Sequence, residues 1–255
     1  MSDTSSILAN VTVSDTLSVL GPHANLNSIN VSSNITCTGI FDMAMTISAG
    51  FSGSYKVSTG GGGNLVNGGI ASTGKVVTWG TNTYGNLGID VTGSSRQTAV
   101  HVARFTNAVA MASADINTGV VLSNGNVWTW GDATYSGINV LGGTRQTPVQ
   151  VIGISTATDI SFGRQHRVAL LANGTVWGWG NNTEGQLGLG VFGGNTQLTP
   201  VPIPGISTAV KVMCGGYHTI VQLNNSTCVG FGRNSYNQLL RPDTVSYATP
   251  VACTN

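Results

Sequence analysis

Two histidines at matching positions are the side chains best suited by type to acid–base or metal chemistry. His166 follows Gly163 by three residues, and His218 follows Gly215 by the same interval. Imidazole titrates near neutral pH and binds metals, so a recurring histidine could serve either purpose. Both histidines nevertheless occupy the same place in two similar stretches, which favours a structural role in which the ring bonds a neighbouring strand. We therefore predict that both are structural.

The remaining reactive residues form no catalytic pattern. His23 and His101 stand alone, and the nine acidic residues are scattered without the close carboxylate pair of acid–base catalysis. The glycine run at 60–63 is not followed by Lys-Ser or Lys-Thr, so it is not a phosphate loop, and no serine nucleophile elbow occurs. We predict a protein that is not an enzyme and has no catalytic residue, cofactor or metal site.

The four cysteines show no Cys-x-x-Cys spacing, which argues against a zinc site. Cys228 and Cys253 fall where neighbouring strands of the last repeat are expected, so a disulfide between them is one alternative. Buried free thiols are the preferred interpretation, because unpaired cysteine packs as a small apolar residue.

An aromatic residue followed by glycine recurs along the chain at intervals of 51, 49 and 52 residues. A period near fifty indicates an internal repeat. Each unit contains four short apolar or alternating runs separated by glycine, asparagine or proline, which predicts four strands per unit, as in a propeller blade. The predicted units are residues 51–102, 103–153, 154–205 and 206–255. The recurring aromatic residues are Trp79, Trp130, Trp179 and Phe231.

The repeated pattern reads Gly-x-x-His, then Asn-Gly-x-Val-Trp-x-Trp-Gly-x-Asn-x-x-Gly-Gln-Leu-Gly, then Thr-Pro-x-x-Val. It resembles the repeat of the regulator of chromosome condensation family, and the unit at 154–205 matches nearly throughout. The second unit departs from it at 136–139, and the fourth departs at 237–240 and has no tryptophan. The resemblance implies a β-propeller, usually of seven blades. It implies little about function, because members of the family do unrelated jobs.

The tryptophan pairs Trp128/Trp130 and Trp177/Trp179 are predicted to pack in the core, with a light-sensing or sugar-stacking role as the alternative. We expect one ring of each pair to face each side of its blade and to contact the adjoining blades. Burial of a tryptophan removes about 150–250 Å² from water, or roughly 4–6 kcal/mol as an upper bound.

Two arginines, Arg96 and Arg145, precede Gln-Thr at one repeated loop position, where the third unit has Thr196 instead. We expect them to line one rim of the propeller as solvated residues, with a rim binding site as the alternative.

Charged residues are only 7% of the chain, against roughly 25% in ordinary globular proteins, and the net charge is +1. This composition argues against a nucleic-acid partner. A neutral surface is common in proteins that live in assemblies, where self-repulsion is not needed for solubility. No signal peptide is visible, and no apolar run approaches the ~18 residues needed to span a membrane, so membrane insertion is not expected.

Residues 1–50 contain no Lys or Arg, and the stretch at 11–21 aligns with 29–39 at an offset of 18. Both copies alternate apolar and polar residues, as in strands with one apolar face. Two such hairpin-sized units cannot bury that face alone. The segment resembles the β-stalks of trimeric bacteriophage tail fibres, and an extension packed on its own propeller is the alternative. The glycine- and serine-rich stretch at 48–69 is the expected junction with the propeller.

The sequence therefore predicts an all-β protein with an N-terminal β-stem at 1–50 and a propeller of about four four-stranded blades at 51–255. The blades either close on themselves or leave ends for partners to cover. The leading functional prediction is a virion structural protein, a tail fibre or capsid decoration, whose propeller head serves adhesion. It would self-associate through the N-terminal segment as a homotrimer and meet other virion proteins or a host surface receptor. The alternative is a cytoplasmic regulatory scaffold that binds a protein partner through a propeller face.

Overall fold

The chain folds into β-strands and short loops, as the sequence predicts. This computed structural model describes residues 11–13, 29–31, 44–47, 54–59, 66–71, 73–93 and 95–253, with side chains from residue 66 onward. His23, Cys37 and the glycine run at 60–63 lie outside the described residues. The described part contains nineteen strands and one 3-10 helix at Ala133–Tyr135. No helix in that part is both long and apolar enough to cross a membrane.

Four units of four consecutive antiparallel strands form the blades, which confirms the predicted architecture. The first blade ends at Thr106, slightly beyond the predicted boundary at 102. The strands of the first blade are β4 (Ser54–Thr59), β5 (Val66–Ala71), β6 (Lys75–Gly80) and β7 (Arg96–Thr106). Those of the second are β8 (Ala108–Ala114), β9 (Asn117–Leu122), β10 (Val127–Asp132) and β11 (Thr144–Gln150). Those of the third are β12 (Ala157–Phe162), β13 (His166–Leu171), β14 (Val176–Gly180) and β15 (Gln197–Pro202). Those of the fourth are β16 (Ala209–Cys214), β17 (His218–Leu223), β18 (Cys228–Gly232) and β19 (Tyr247–Ala252).

Strands before β4 extend the first sheet to seven strands. They are β1 (Val11–Val13), β2 (Ile29–Val31) and β3 (Ala44–Ile47). β1 and β2 pair in parallel with Val11 opposite Ile29, the same offset of 18 that relates the two copies in sequence. The copies therefore lie side by side in register rather than as hairpins, because an in-register parallel pair places equivalent residues opposite each other. The division at residue 50 stays a prediction.

The hydrophobic core is divided among the interfaces between successive blades. Between the third and fourth blades, Val168 and Leu170 of β13 pack with Val212, Val221 and Phe231 of the fourth blade. Because successive side chains of a strand alternate between its two faces, a middle blade contributes one apolar face to each neighbour.

The row of blades is open at its ends. β4 and β5 pack on β8, β8 and β9 on β12, and β12 and β13 on β16. Strands of the first and fourth blades make no packing of comparable extent in the described part of the chain. The four blades thus form an open arc rather than a closed ring.

Candidate functional site

The loops that follow the first and third strands of every blade lie at the same edge of the sheets, because consecutive strands are antiparallel. We call this edge the loop rim. It comprises the hairpin loops 115–116, 163–165 and 215–217 and the longer turns 81–95, 133–143, 181–196 and 233–246. Most residues singled out in the sequence lie at or just below this rim.

In the second, third and fourth blades, the repeated aromatic residue packs on the turn of the preceding blade. The indole Nε1 of Trp130 donates to the Asn86 carbonyl at 2.9 Å, and that of Trp179 donates to the Tyr135 carbonyl at 3.1 Å. Trp130, Trp179 and Phe231 are fully buried. Trp79 is only half-buried, against the expectation that all four aromatic positions are buried alike, because no described blade precedes the first one.

The expectation that each tryptophan pair is divided between two faces is wrong. Trp128 and Trp130 both pack in the interface with the first blade, and Trp177 and Trp179 both pack in the interface with the second. Residues i and i+2 of a strand point to the same face, so each pair presents both rings to one neighbour.

His166 occupies a buried position between the third and fourth blades. Its Nε2 lies 3.0 Å from Oγ1 of Thr219, and this hydroxyl donates its proton to the Gln186 carbonyl at 2.9 Å. Nε2 must therefore carry the proton, which leaves Nδ1 as an acceptor without a partner. Burial, followed by the charge of Arg167, lowers the pKa of His166 to about 3, so the ring is neutral at pH 7.

Close approach explains the Gly-x-x-His spacing. A Cβ atom at Gly163 would collide with the ring of His166, and one at Gly215 would collide with the ring of His218. His218 is half-buried, and burial lowers its pKa as well. Each imidazole thus folds back over the backbone of its own hairpin loop, a geometry suited to packing.

A second cross-blade pair, which the sequence did not suggest, involves a buried arginine. Arg167 is fully buried; its Nη1 donates to the carbonyls of Gly163 and His166 at 3.1 and 3.0 Å, and its Nη2 donates to Oδ1 of Asn117. Its Cζ lies 4.9 Å from the ring centroid of Phe162. Burial lowers the pKa of Arg167 to about 10, which still leaves it charged at pH 7.

Repeat alignment carried a signal for this pair. Asn117 stands where later blades have His166 and His218, and Arg167 stands where the fourth blade has Thr219. In both pairs, the first residue of a blade's second strand contacts the second residue of the next blade's second strand. Asn117 in the second blade and Arg167 in the third therefore replace the His–Thr pair together.

The thiols are free where the structure describes them. Cys214 donates to the Ser161 carbonyl at 3.4 Å, and burial raises its pKa to about 12, so it is not a nucleophile at neutral pH. Cys228 begins β18 and Cys253 directly follows β19, with the Cys253 amide 3.0 Å from the Cys228 carbonyl, and both thiols are free. The described residues contain no group of His, Cys, Asp and Glu able to hold a metal ion.

A partly exposed row of alternating arginine and tyrosine crosses the loop rim of the third and fourth blades, with Arg164 and Tyr236 exposed and Tyr217 and Arg233 half-buried. Nη1 of Arg164 donates to Oη of Tyr217 at 3.0 Å, and its Cζ lies 5.9 Å from the ring centroid. The Cζ of Arg233 lies 6.0 Å from the Tyr217 centroid and 5.9 Å from that of Tyr236. We call these four residues the Arg–Tyr row. Tyr236 is 83% exposed.

Arg96 and Arg145 lie elsewhere on the same rim, near the start of the last strand of the first and second blades. Both are half-buried, and Arg145 bonds only the Thr144 carbonyl next to it, at 3.2 Å. Their role as solvated rim residues or as a binding site stays a prediction.

Residues 173–222 match the Regulator of chromosome condensation (RCC1) repeat, and residues 157–186 match a second family of the same description. No curated protein sequence matches the chain.

Solved structures share the fold at low sequence identity. Human WBSCR16 is 17% identical, with a TM-score of 0.70 over 80% of this chain and 54% of its own. The complex of Kap60 with yeast RCC1 (Prp20) gives 22% identity and a TM-score of 0.65 over 77% and 48%. Prp20p from Saccharomyces cerevisiae gives 22% identity and a TM-score of 0.63 over 77% and 49%. The chain spans about half the length of these proteins. It thus carries RCC1 repeats within an RCC1-like β-propeller fold.

Proposed function

We propose that the protein is a non-enzymatic scaffold that binds a protein partner on the loop rim of its propeller. The buried histidine, cysteine and arginine are held in packing roles, so they offer a substrate no accessible reactive group. The rim instead exposes tyrosine and arginine, the residue types that most often dominate the energy of protein interfaces.

The single observation that carries the proposal is the exposed ring of Tyr236. A ring that is 83% exposed beside the guanidinium of Arg233 leaves apolar surface in water on a loop that the blades hold in place. One protein of similar fold, yeast RCC1 (Prp20), supports a binding role: it has been solved bound to Kap60, and its binding to Gsp1p and histones has been described with its structure.

A photo-crosslinking experiment tests this proposal. A photoreactive phenylalanine analogue replaces Tyr236 on the loop rim in one variant and Asn225, at the opposite edge of the same blade, in another. We expect a defined cross-linked protein from position 236 and none from position 225 in an extract of the native source. Cross-links from position 225 alone would place the partner at the other edge and overturn the proposal.

A second candidate is the virion role, a tail fibre or capsid decoration that displays the propeller for adhesion. The observation that favours it is the parallel pairing of β1 with β2 at the 18-residue offset, since stacked copies of one strand suit a stalk. β1 is at the edge of the first sheet in the described part of the chain, and an edge strand presents unpaired backbone groups with which another copy can pair.

Sedimentation tests that candidate. The full chain should sediment as a homotrimer, and a chain lacking residues 1–47 should sediment as a monomer. A full-length chain that is monomeric at high micromolar concentration would remove the support for a stalk and for the virion role.

A further inference from the structure

The Arg–Tyr row is held in place before any partner binds. The backbone amide of Arg164 donates to the Gly216 carbonyl at 3.1 Å, and that of Arg233 donates to the Tyr217 carbonyl at 2.9 Å. The Nε of Arg233 also donates to Oγ of Ser235 at 3.0 Å. Ordering these side chains in advance reduces the entropy lost on association.

The positive charge of the row is only partly compensated. Arg164 lies 3.5 Å from Oδ2 of Asp115, but its side chain is 59% exposed and has donors to spare. No carboxylate of the described residues lies within ion-pair distance of Arg233. Both guanidiniums can therefore accept an external anion.

In the second blade, Tyr135 stands at the position of Tyr236, and the third blade covers its ring. There, the buried guanidinium of Arg167 in the third blade lies 5.6 Å from the ring centroid of Tyr135. At the matching place in the fourth blade, the cation comes from Arg233 of the same turn, and Tyr236 stays exposed. The ring can thus contact a residue from another molecule.

We propose that the Arg–Tyr row binds an acidic, extended peptide segment of a partner protein, which deepens the proposed scaffold function and rests on it. The two guanidiniums each lie within 6.0 Å of the Tyr217 centroid, so they are at most about 12 Å apart, the span of three to four residues of an extended strand. Two carboxylates of the segment bind Arg164 and Arg233, and an apolar side chain beside them packs on Tyr236. Charge-assisted hydrogen bonds of this kind are the stronger ones in proteins.

The acidic peptide fits better than a nucleic acid. Affinity for a polynucleotide comes from many phosphate contacts, and this row offers two cations. Asp132, at the end of β10, and Glu184, on the turn 181–196, lie at the same rim, where they would repel a continuous phosphate backbone. Discrete carboxylates on a short segment avoid those acids.

Fluorescence anisotropy on the full-length protein tests the inference. The probe is a short labelled peptide in which glutamate alternates with glycine around one leucine, and the control probe has glutamine at every glutamate. We expect the glutamate probe alone to bind. The double variant Arg164→Gln/Arg233→Gln should weaken binding about 10-fold or more, since a hydrogen bond to a charged group contributes about 1.5–3 kcal/mol. Tyr236→Ala should weaken binding several-fold.

The variant Arg96→Gln/Arg145→Gln is the matched control, because it removes the same charge from the same rim outside the row. Equal loss in this control, equal binding of the glutamine probe, or displacement of the peptide by a lower concentration of single-stranded oligonucleotide would each overturn the inference. Thermal unfolding within about two degrees of wild type shows that each variant is folded. If the wild-type protein gives a cross-link from position 236 but does not bind the acidic peptide, or if that cross-link persists unchanged in the Arg164→Gln/Arg233→Gln protein, the inference fails and the scaffold function stands.

Discussion

The third and fourth blades are close copies that differ in what covers their outer side. In the third blade, His166 to Leu170 are all buried, because the strand packs between two neighbours. In the fourth, the matching strand alternates between buried and half-buried residues. Where the third blade presents Leu170 to its neighbour, the fourth presents the half-buried Gln222. A polar residue suits a side that no described blade covers.

Two turn positions also differ between the third blade, which the fourth blade covers, and the fourth blade, whose outer side is open. Gly174 lies against the Ser207 carbonyl of the chain that enters the next blade, and Gly188 lies under the ring of Phe231; both have positive φ. The fourth blade keeps the positive φ at both places but carries Ser226 and Leu240 there. Glycine is thus required for room as well as for backbone conformation, and the room matters only where another blade follows.

The largest effect expected from this comparison concerns the aromatic positions. Trp179→Ala should lower the free energy of unfolding by about 3–5 kcal/mol, because it empties a fully buried site between two blades. Trp79→Ala should cost about 1–2 kcal/mol, since its ring is only half-buried. Denaturant unfolding of the two variants measures both. Equal losses would show that another element covers the first blade.

Exchange of turn residues sharpens the comparison. Gly188→Leu should destabilise by about 2–4 kcal/mol, because the side chain would enter the space of Phe231 on a backbone with φ of 64°. The reciprocal change, Leu240→Gly, should leave stability within about 1 kcal/mol of wild type, since it relieves a left-handed leucine but frees the unfolded chain. A large loss in Leu240→Gly would contradict a free end at the fourth blade.

The hairpin glycines offer a smaller contrast. Gly163→Ala should cost about 1–3 kcal/mol, because its Cβ would meet the His166 ring in a packed interface. Gly215, which matches Gly163, would collide with His218 in the same way, so its neighbour Gly216 serves as the control: Gly216→Ala has no atom within 4 Å of its Cβ and should change stability by less than about 0.5 kcal/mol. The melting temperatures of the two variants, compared with wild type, measure this difference in stability.

A pH dependence tests the buried interface of the third blade in a different way. Because the folded pKa of His166, about 3, lies below its ordinary 6.5, the unfolded chain binds the proton more tightly. The stability contributed by the neutral ring is therefore present above pH 6.5 and is lost as the pH falls from 6.5 toward 3, by up to about 1.4 kcal/mol per pH unit. His166→Asn, which copies the second blade, should have a shallower acid slope in denaturant unfolding. Parallel slopes for both proteins would show that the ring is solvated.

The sequence alone predicted the strands that recur within each repeat. It did not predict features that depend on contact between one blade and the next. The aromatic period and the glycine turns predicted four strands per unit, and these local signals were sufficient. The half-buried state of Trp79 could not be seen, because burial there depends on a preceding blade. The tryptophan pairs were assigned to two faces although residues two apart share one face.

The Arg–Tyr row was missed for another reason. Arg164 and Arg233 do not repeat, so the period that revealed the blades gave no signal for them. Arg96 and Arg145, by contrast, do repeat, so the sequence predicted them as rim residues. Arginine and tyrosine meet in the row only because the hairpin loop 163–165 of the third blade lies beside the hairpin loop 215–217 of the fourth, which itself lies beside the turn 233–246. Sequence spacing does not encode this tertiary arrangement.

The hydroxyl of Thr219 bridges His166 in one blade strand and the Gln186 carbonyl in the same blade's turn, although Thr219 itself belongs to the fourth blade. If the fourth blade detached, it would leave two buried polar groups of the third without partners. Local opening should therefore be coupled across this interface, so that amide hydrogens of β13 exchange at a rate set partly by β17. Amide hydrogens of the fourth blade, which has one neighbouring blade in the described part of the chain, should exchange first. Those of strands packed between two blades should exchange more slowly.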